Sequence, residues 1–220
     1  MYRTLIITAG LGLLFKTGAA QDSTQGRIHY EITYHLHAAL KPDQLQYKDL
    51  VPESTTESAV LVYRGQRVKT FLDDAVDKEQ DGVNTQITVS SSEGTERYMD
   101  LEKGMLWWVN KAQEPPVLVE KKLSGAAAEE KVTESAGTRE ILGYTCKKLV
   151  MKAKKGSTQT VWYTTALPIR AGSPIGVYTD RGVVLGLESR LFTLRATRLE
   201  LVPVAEKEVL PPAGMKTVRE

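Results

Sequence analysis

The 220-residue chain is poor in the residue types that most often do chemistry. It has one cysteine, Cys146, and three histidines, His29, His35 and His37. A single cysteine excludes an internal disulfide, so a folded chain must rely on its core. No Gly-x-Ser-x-Gly elbow, His-Glu-x-x-His pair, phosphate loop or dinucleotide fingerprint occurs, and nothing singles out a pair of carboxylates for glycosidase work. No cofactor is implied. Excess charge of one sign is missing as well. Arg3 and Lys16 are the only charges among residues 1–20, and without them the 29 basic residues fall to 27, equal to the 27 acidic ones. Lysines 147–148, 152 and 154–155 are the densest basic points, too few to track a phosphate backbone, which argues against nucleic acid as a partner. Beyond residue 20 no apolar run approaches the ~20 residues of a membrane-spanning helix.

What is present begins at the start of the chain. Residues 1–3 are short and basic, residues 4–15 are uncharged and largely apolar, and Gly18 and Ala20 place small residues at −3 and −1 of a cleavage after Ala20. This is the layout of a secretory signal peptide, with an apolar run too short to anchor in a bilayer. It predicts a mature protein of residues 21–220, one β-rich domain, periplasmic or secreted, with no transmembrane span. No cysteine follows the apolar run, so lipid attachment at a new N-terminus is not indicated.

Strand signals dominate the remainder. Residues 27–38 alternate tightly, with Ile28, Tyr30, Ile32, Tyr34 and Leu36 on one face and His29, Glu31, Thr33, His35 and His37 on the other. A short helix fits residues 43–50 behind Pro42. Residues 59–63 and 67–72 flank Gly65 as a hairpin. Further strands are expected at 85–90, 95–101, 105–109, 117–123, 140–153 and 158–164, and one or two within 182–201. Residues 73–84 form an acidic loop, residues 125–130 are small and helix-tolerant, and residues 166–174 make an excursion marked by proline and glycine. Ten or so evenly spaced strands predict a mainly β fold, a large antiparallel sheet, sandwich or barrel.

Few side chains stand out against that background. His35 and His37, two apart on one strand face, lie ~7 Å apart at strand rise and offer half of a metal site. Zinc sites need three or four ligands, and the sequence identifies no third. The acidic run at Asp73, Asp74, Asp77, Glu79 and Asp81 lacks the spacing of a calcium loop. Cys146 reads as a small buried hydrophobe, because nothing but Lys147 and Lys148 is near it in sequence to activate a thiol. Trp107-Trp108 and Trp162-Tyr163 are adjacent aromatic pairs, and alternation sends one member of each to either side of the sheet.

Three segments carry a resemblance. Residues 137–148 read GTREILGYTCKK, residues 161–164 read VWYT, and residues 210–216 read LPPAGMK, with Pro168 to Pro174 and a glycine-leucine stretch at 182–188 between them. Their order resembles secreted bacterial proteins of unknown function related to the family named for its Gly-Leu-Pro-Gly-Leu-Ile motif. Residues 183–187 lack the central proline of that motif, and Met215 stands where the pattern has tyrosine. The resemblance implies a curved antiparallel sheet or half-barrel with one or two short helices, similar to the periplasmic lipoprotein carriers. It carries no catalytic residues. What it implies is a non-enzymatic protein holding a lipid or lipidated segment in a sheet concavity, with Trp107, Trp108, Tyr144 and Trp162 as ligand-binding residues. Two other readings stay open: a metal-binding protein or metalloenzyme using His35 and His37, and a structural module that pairs sheet edges with an envelope protein.

Overall fold

The computed structural model describes residues 22–72, 96–123, 131–152 and 157–220. The leader at 1–20, the acidic loop, the strand expected at 85–90 and the segment 125–130 lie outside the described residues. Twelve strands form one open sheet: β1 (Gln25–His35), β2 (Ser54–Arg64), β3 (Arg67–Leu72), β4 (Glu96–Asp100), β5 (Met105–Asn110), β6 (Val117–Lys122), β7 (Lys131–Ile141), β8 (Tyr144–Lys152), β9 (Thr158–Thr164), β10 (Val183–Ser189), β11 (Phe192–Glu200) and β12 (Thr217–Arg219). The spatial order is β12-β6-β5-β4-β3-β2-β1-β11-β10-β9-β8-β7. Two antiparallel meanders thus run outward from the centre, β1 to β6 on one side and β11 back to β7 on the other. They join where β11 pairs with β1, and only β12 pairs parallel, on β6.

Alternation in β1 organises the core. Ile28, Tyr30 and Ile32 are fully buried on the inner face, opposite Leu61 and Ala59 of β2 and Leu199, Ala196 and Leu194 of β11. The same face continues through Val68, Met99, Leu106 and Trp108 to Val119. Toward the other end it continues through Leu187, Val161 and Leu149. A sheet face this apolar must be covered. The cover is the connection between β9 and β10, residues 165–182, which buries Leu167, Ile169 and Ala171 in the same cluster. Tyr30 ties the middle together, its hydroxyl donating to the Val184 carbonyl at 2.9 Å.

The outer face is covered in part by the C-terminal segment after β11. Val204 and Val209 pack on Val60 and Val62, with Phe71 alongside. Arg64 donates to the Val204 carbonyl at 2.8 Å, and Arg27 and Arg67 pair with Glu208 and Glu206. The segment then continues to β12. Sequence periodicity gives no hint of this strap, because its apolar residues are spaced irregularly among charges and prolines.

Local details depart from the sequence expectation at two places, and the short helix expected over 43–50 is found at a third. β1 ends at His35, and residues 36–39 form one helical turn, so His37 leaves the strand. Residues 42–50 form a 3-10 helix with no buried residue. The strand expected over 140–153 starts only at Tyr144, as β8, because Leu142 and Gly143 turn the chain with φ of 54° and 78°, and residues 140–141 instead end β7, a strand that the sequence reading does not expect over 131–139.

The inner cover depends on close backbone approach at Gly172. A Cβ there would lie 2.1 Å from the Val177 carbonyl oxygen and 2.5 Å from the Tyr178 Cα, and backbone cannot yield as a side-chain end does. Replacing Gly172 with alanine is therefore expected to destabilise the fold by about 1–3 kcal/mol. A urea midpoint unchanged from the wild type would show that the cover does not depend on this approach.

Candidate functional site

The four aromatic residues singled out by sequence do not line one groove. On β5, Trp108 is 5% exposed and faces inward beside Arg97 and Val119, while Trp107 faces out and donates from Nε1 to Glu120 at 3.0 Å. On β9, Val161 and Tyr163 take one side and Trp162 the other. The Trp162 ring is 7% exposed, with the Arg139 guanidinium 4.3 Å and the Lys148 ammonium 5.8 Å from its centroid. Ile141 approaches it across Gly186, the glycine leaving room for both. Trp162 is thus a core ring under a cationic roof. Tyr144, by contrast, borders an open recess.

That recess lies between the β7–β8 turn and the end of β11. It has a volume of about 590 Å³ and is lined by Leu142, Tyr144, Leu199, Leu201 and Val202 together with Thr197, Arg198 and Glu200. The size falls within the ~300–1,000 Å³ range of small-ligand sites, and the lining is divided almost evenly between apolar and polar surface. At its rim Glu200 pairs with Arg198 at 3.1 Å, and His29 Nε2 lies 3.3 Å from Glu200 and 3.1 Å from Arg198. The one imidazole nitrogen donates to the carboxylate or accepts from the guanidinium according to its tautomer, and it does not do both at once. Leu142 adds a sign of tension. A φ of 54° suits asparagine or glycine, and a leucine there costs about 1–2 kcal/mol. Its side chain is nonetheless 38% exposed at the recess. A residue kept in such a conformation is a pointer to function.

The inner face holds a polar cluster that no motif announced. Arg97, 6% exposed, sits opposite Thr70 and Trp108, and its Nη1 donates to the Pro174 carbonyl at 3.5 Å. Tyr34 neighbours Glu57, and burial pushes its phenol up to about 12. Through that bond Arg97 ties the 165–182 cover to the sheet. A further open recess of about 480 Å³, at the β2–β3 and β4–β5 turns, is lined by Arg64, Arg67, Lys103, Asp100, Glu102 and Glu206. Charges of both signs there engage one another, Arg67 with Glu206 and Lys103 with Asp100.

His35 and His37 have other partners. His35 Nε2 lies 3.1 Å from the Thr193 hydroxyl, and His37 Nε2 lies 2.8 Å from the Val51 carbonyl. Among the described residues there is no group of three or more His, Cys, Asp or Glu that could hold a metal ion. No helix of the described residues is long and apolar enough to cross a membrane. Cys146 is fully buried, and burial pushes its thiol up to about 11, with Arg139 nearby pulling the other way.

The comparisons with known proteins take in this part of the chain. A family model described as the N-glycanase peptide, N-terminal domain matches residues 117–212, which span the whole lining of the recess at Tyr144. Two solved structures of PNGF-II, in space groups C2 and P21, are similar in fold. Their TM-scores are 0.58 and 0.55 at 15% and 16% identity, covering 89% and 90% of this chain. The chain spans 31% of the length of each. No curated protein matches in sequence.

Two outcomes follow from this geometry. Trp162→Ala should cost about 3–5 kcal/mol in urea unfolding, and a loss below ~1 kcal/mol would remove the ring from the core. Cys146 should resist thiol reagents until the protein unfolds. Because its folded pKa lies above its ordinary 9.0, the unfolded chain loses this proton first. Stability from Cys146 is thus complete below pH 9 and is lost as pH rises toward 11. The fall in unfolding free energy across that window should be shallower in Cys146→Ala, and equal slopes would refute the assignment.

Proposed function

We propose that this chain is a non-enzymatic binding module of the bacterial envelope, exported by its first twenty residues, that takes an apolar ligand in the recess beside Tyr144. The ligand class is a lipid or an apolar or lipidated polypeptide segment. The observation that carries the reading is where apolar surface remains open. The inner face is occupied by the chain's own residues 165–182, whereas Leu142, Tyr144, Leu199 and Val202 border a recess open to solvent. Covering them with a ligand gains about 25 cal/mol per Å² of apolar area. The similarity to an N-terminal domain supports a module reading, since in PNGF-II the matching fold is part of a chain about three times as long.

The structural-module reading has the long, exposed edge of β7 in its favour. That edge is guarded, however, by an irregularity between Ser135 and Thr138 and by Glu134, Arg139 and Glu140, the devices that discourage edge pairing.

Native mass spectra of mature protein, purified gently from its own envelope fraction, test the proposal. An adduct is expected on the wild type and absent from Tyr144→Lys, with both variants melting alike. An adduct that survives Tyr144→Lys would move the site elsewhere. A clean apo protein in both preparations would overturn the binding reading.

A further inference from the structure

We infer that the recess receives an extended polypeptide segment as an added strand on β11, one whose side chains alternate between apolar and charged. The inference rests on the reading of the recess as the binding site and names the class of its occupant.

The backbone carries the first part of the argument. β11 pairs with β1 along most of its length, but its other edge pairs with β10 only at Thr193, Leu194 and Arg195. β10 departs beyond Gly186, where its register shifts, and Val184 N–H turns to the Ala171 carbonyl of the inner cover at 3.3 Å. Among the described residues no strand pairs with the Thr197–Glu200 stretch of β11 on that side. β8 is similarly half-paired at its start, since its pairing with β9 begins only at Lys147. Two strands therefore border a gap in the sheet, and the gap is the recess. Strand edges present alternate N–H and C=O groups that need partners. An acyl chain covers the leucines and leaves those groups unsatisfied, whereas a polypeptide strand covers the leucines and pairs with those groups.

The side chains specify what kind of strand. Along β11, Leu199 points to the inner face, and Arg198 and Glu200 to the outer. β1 shows what a neighbour of this stretch looks like: Ile28 opposite Leu199, His29 opposite Arg198 and Arg27 opposite Glu200. An occupant on the opposite edge meets the same alternation. It places an apolar residue against Leu199 and Tyr144, an acid toward Arg198 and a base toward Glu200. Leu142, held at positive φ and exposed at the mouth, provides the apolar contact from the far wall.

The test uses the full mature protein and a fluorescent nonapeptide of alternating leucine and glutamate or lysine, with a scrambled peptide of equal composition as control. The alternating peptide should bind at least tenfold more tightly than the scrambled one. It should also slow hydrogen exchange at 197–200. N-methylating alternate amides, in one set or the other, should weaken binding at least tenfold, because one set must face β11. Leu142→Asn should raise the melting temperature by relaxing the turn while weakening the peptide. Affinity unaffected by either N-methyl set, or equal for the scrambled peptide, overturns strand addition. If an adduct sensitive to Tyr144→Lys persists while no peptide binds, the recess remains a ligand site and only the polypeptide occupant is refuted. If neither peptide nor adduct responds to Tyr144→Lys, both readings fall together.

Discussion

The rest of this structure depends on how the inner face of a twelve-stranded sheet is kept dry. Strands that alternate place Ile28, Tyr30, Ile32, Leu61, Leu187 and Leu194 on one side, and the short helical elements among the described residues bury none of their side chains to cover them. The chain solves this with residues 165–182, an irregular connection that sends Leu167, Ile169 and Ala171 into the core. Irregular backbone carries polar groups inward, so it must be bonded there. Ser173 N–H donates to the Val177 carbonyl at 2.7 Å, and Arg97 reaches the Pro174 carbonyl from the sheet. The second bond explains why an arginine sits among apolar neighbours.

Covering the face from within has a geometric consequence. β9 and β10 must part from their neighbours to launch and recover the connection, so ladders that pair fully at one end open at the other. The recess at Tyr144 lies where that opening leaves the end of β11 beside the start of β8. Site and core are thus products of one constraint. The outer face carries less apolar surface and needs only the C-terminal strap, whose Val204 and Val209 seat on β2 while its acids pair with Arg27 and Arg67.

Much of the sheet was legible in the sequence because period two is a local property. β1 and the hairpin at Gly65 follow directly from alternation and turn chemistry. The turn at Leu142 did not, since a leucine at positive φ contradicts the usual residue preference and let the strand reading run through it from residue 140, while most of β7 carried no strand signal. His37 was misplaced for a related reason: alternation continues through Leu36, yet the chain bends into a helical turn whose Leu36 N–H bonds to the Glu53 carbonyl at 2.9 Å. Of the aromatic residues, periodicity could say that neighbours point to opposite sides, but not that Trp108 would lie inward or that Arg139 would roof Trp162.

By itself the sequence determined the strand-rich class, the absence of disulfide support, the near balance of charge and most of the alternating faces. Each of these is set by composition or by spacing within a few residues. Only the tertiary structure decided which segment fills the inner face, which aromatics are core, and that Tyr144 borders an open recess. Those outcomes depend on strands distant in sequence, β11 against β1 and residues 165–182 against the whole sheet. Their contacts form through closure of long loops, and no local pattern encodes them.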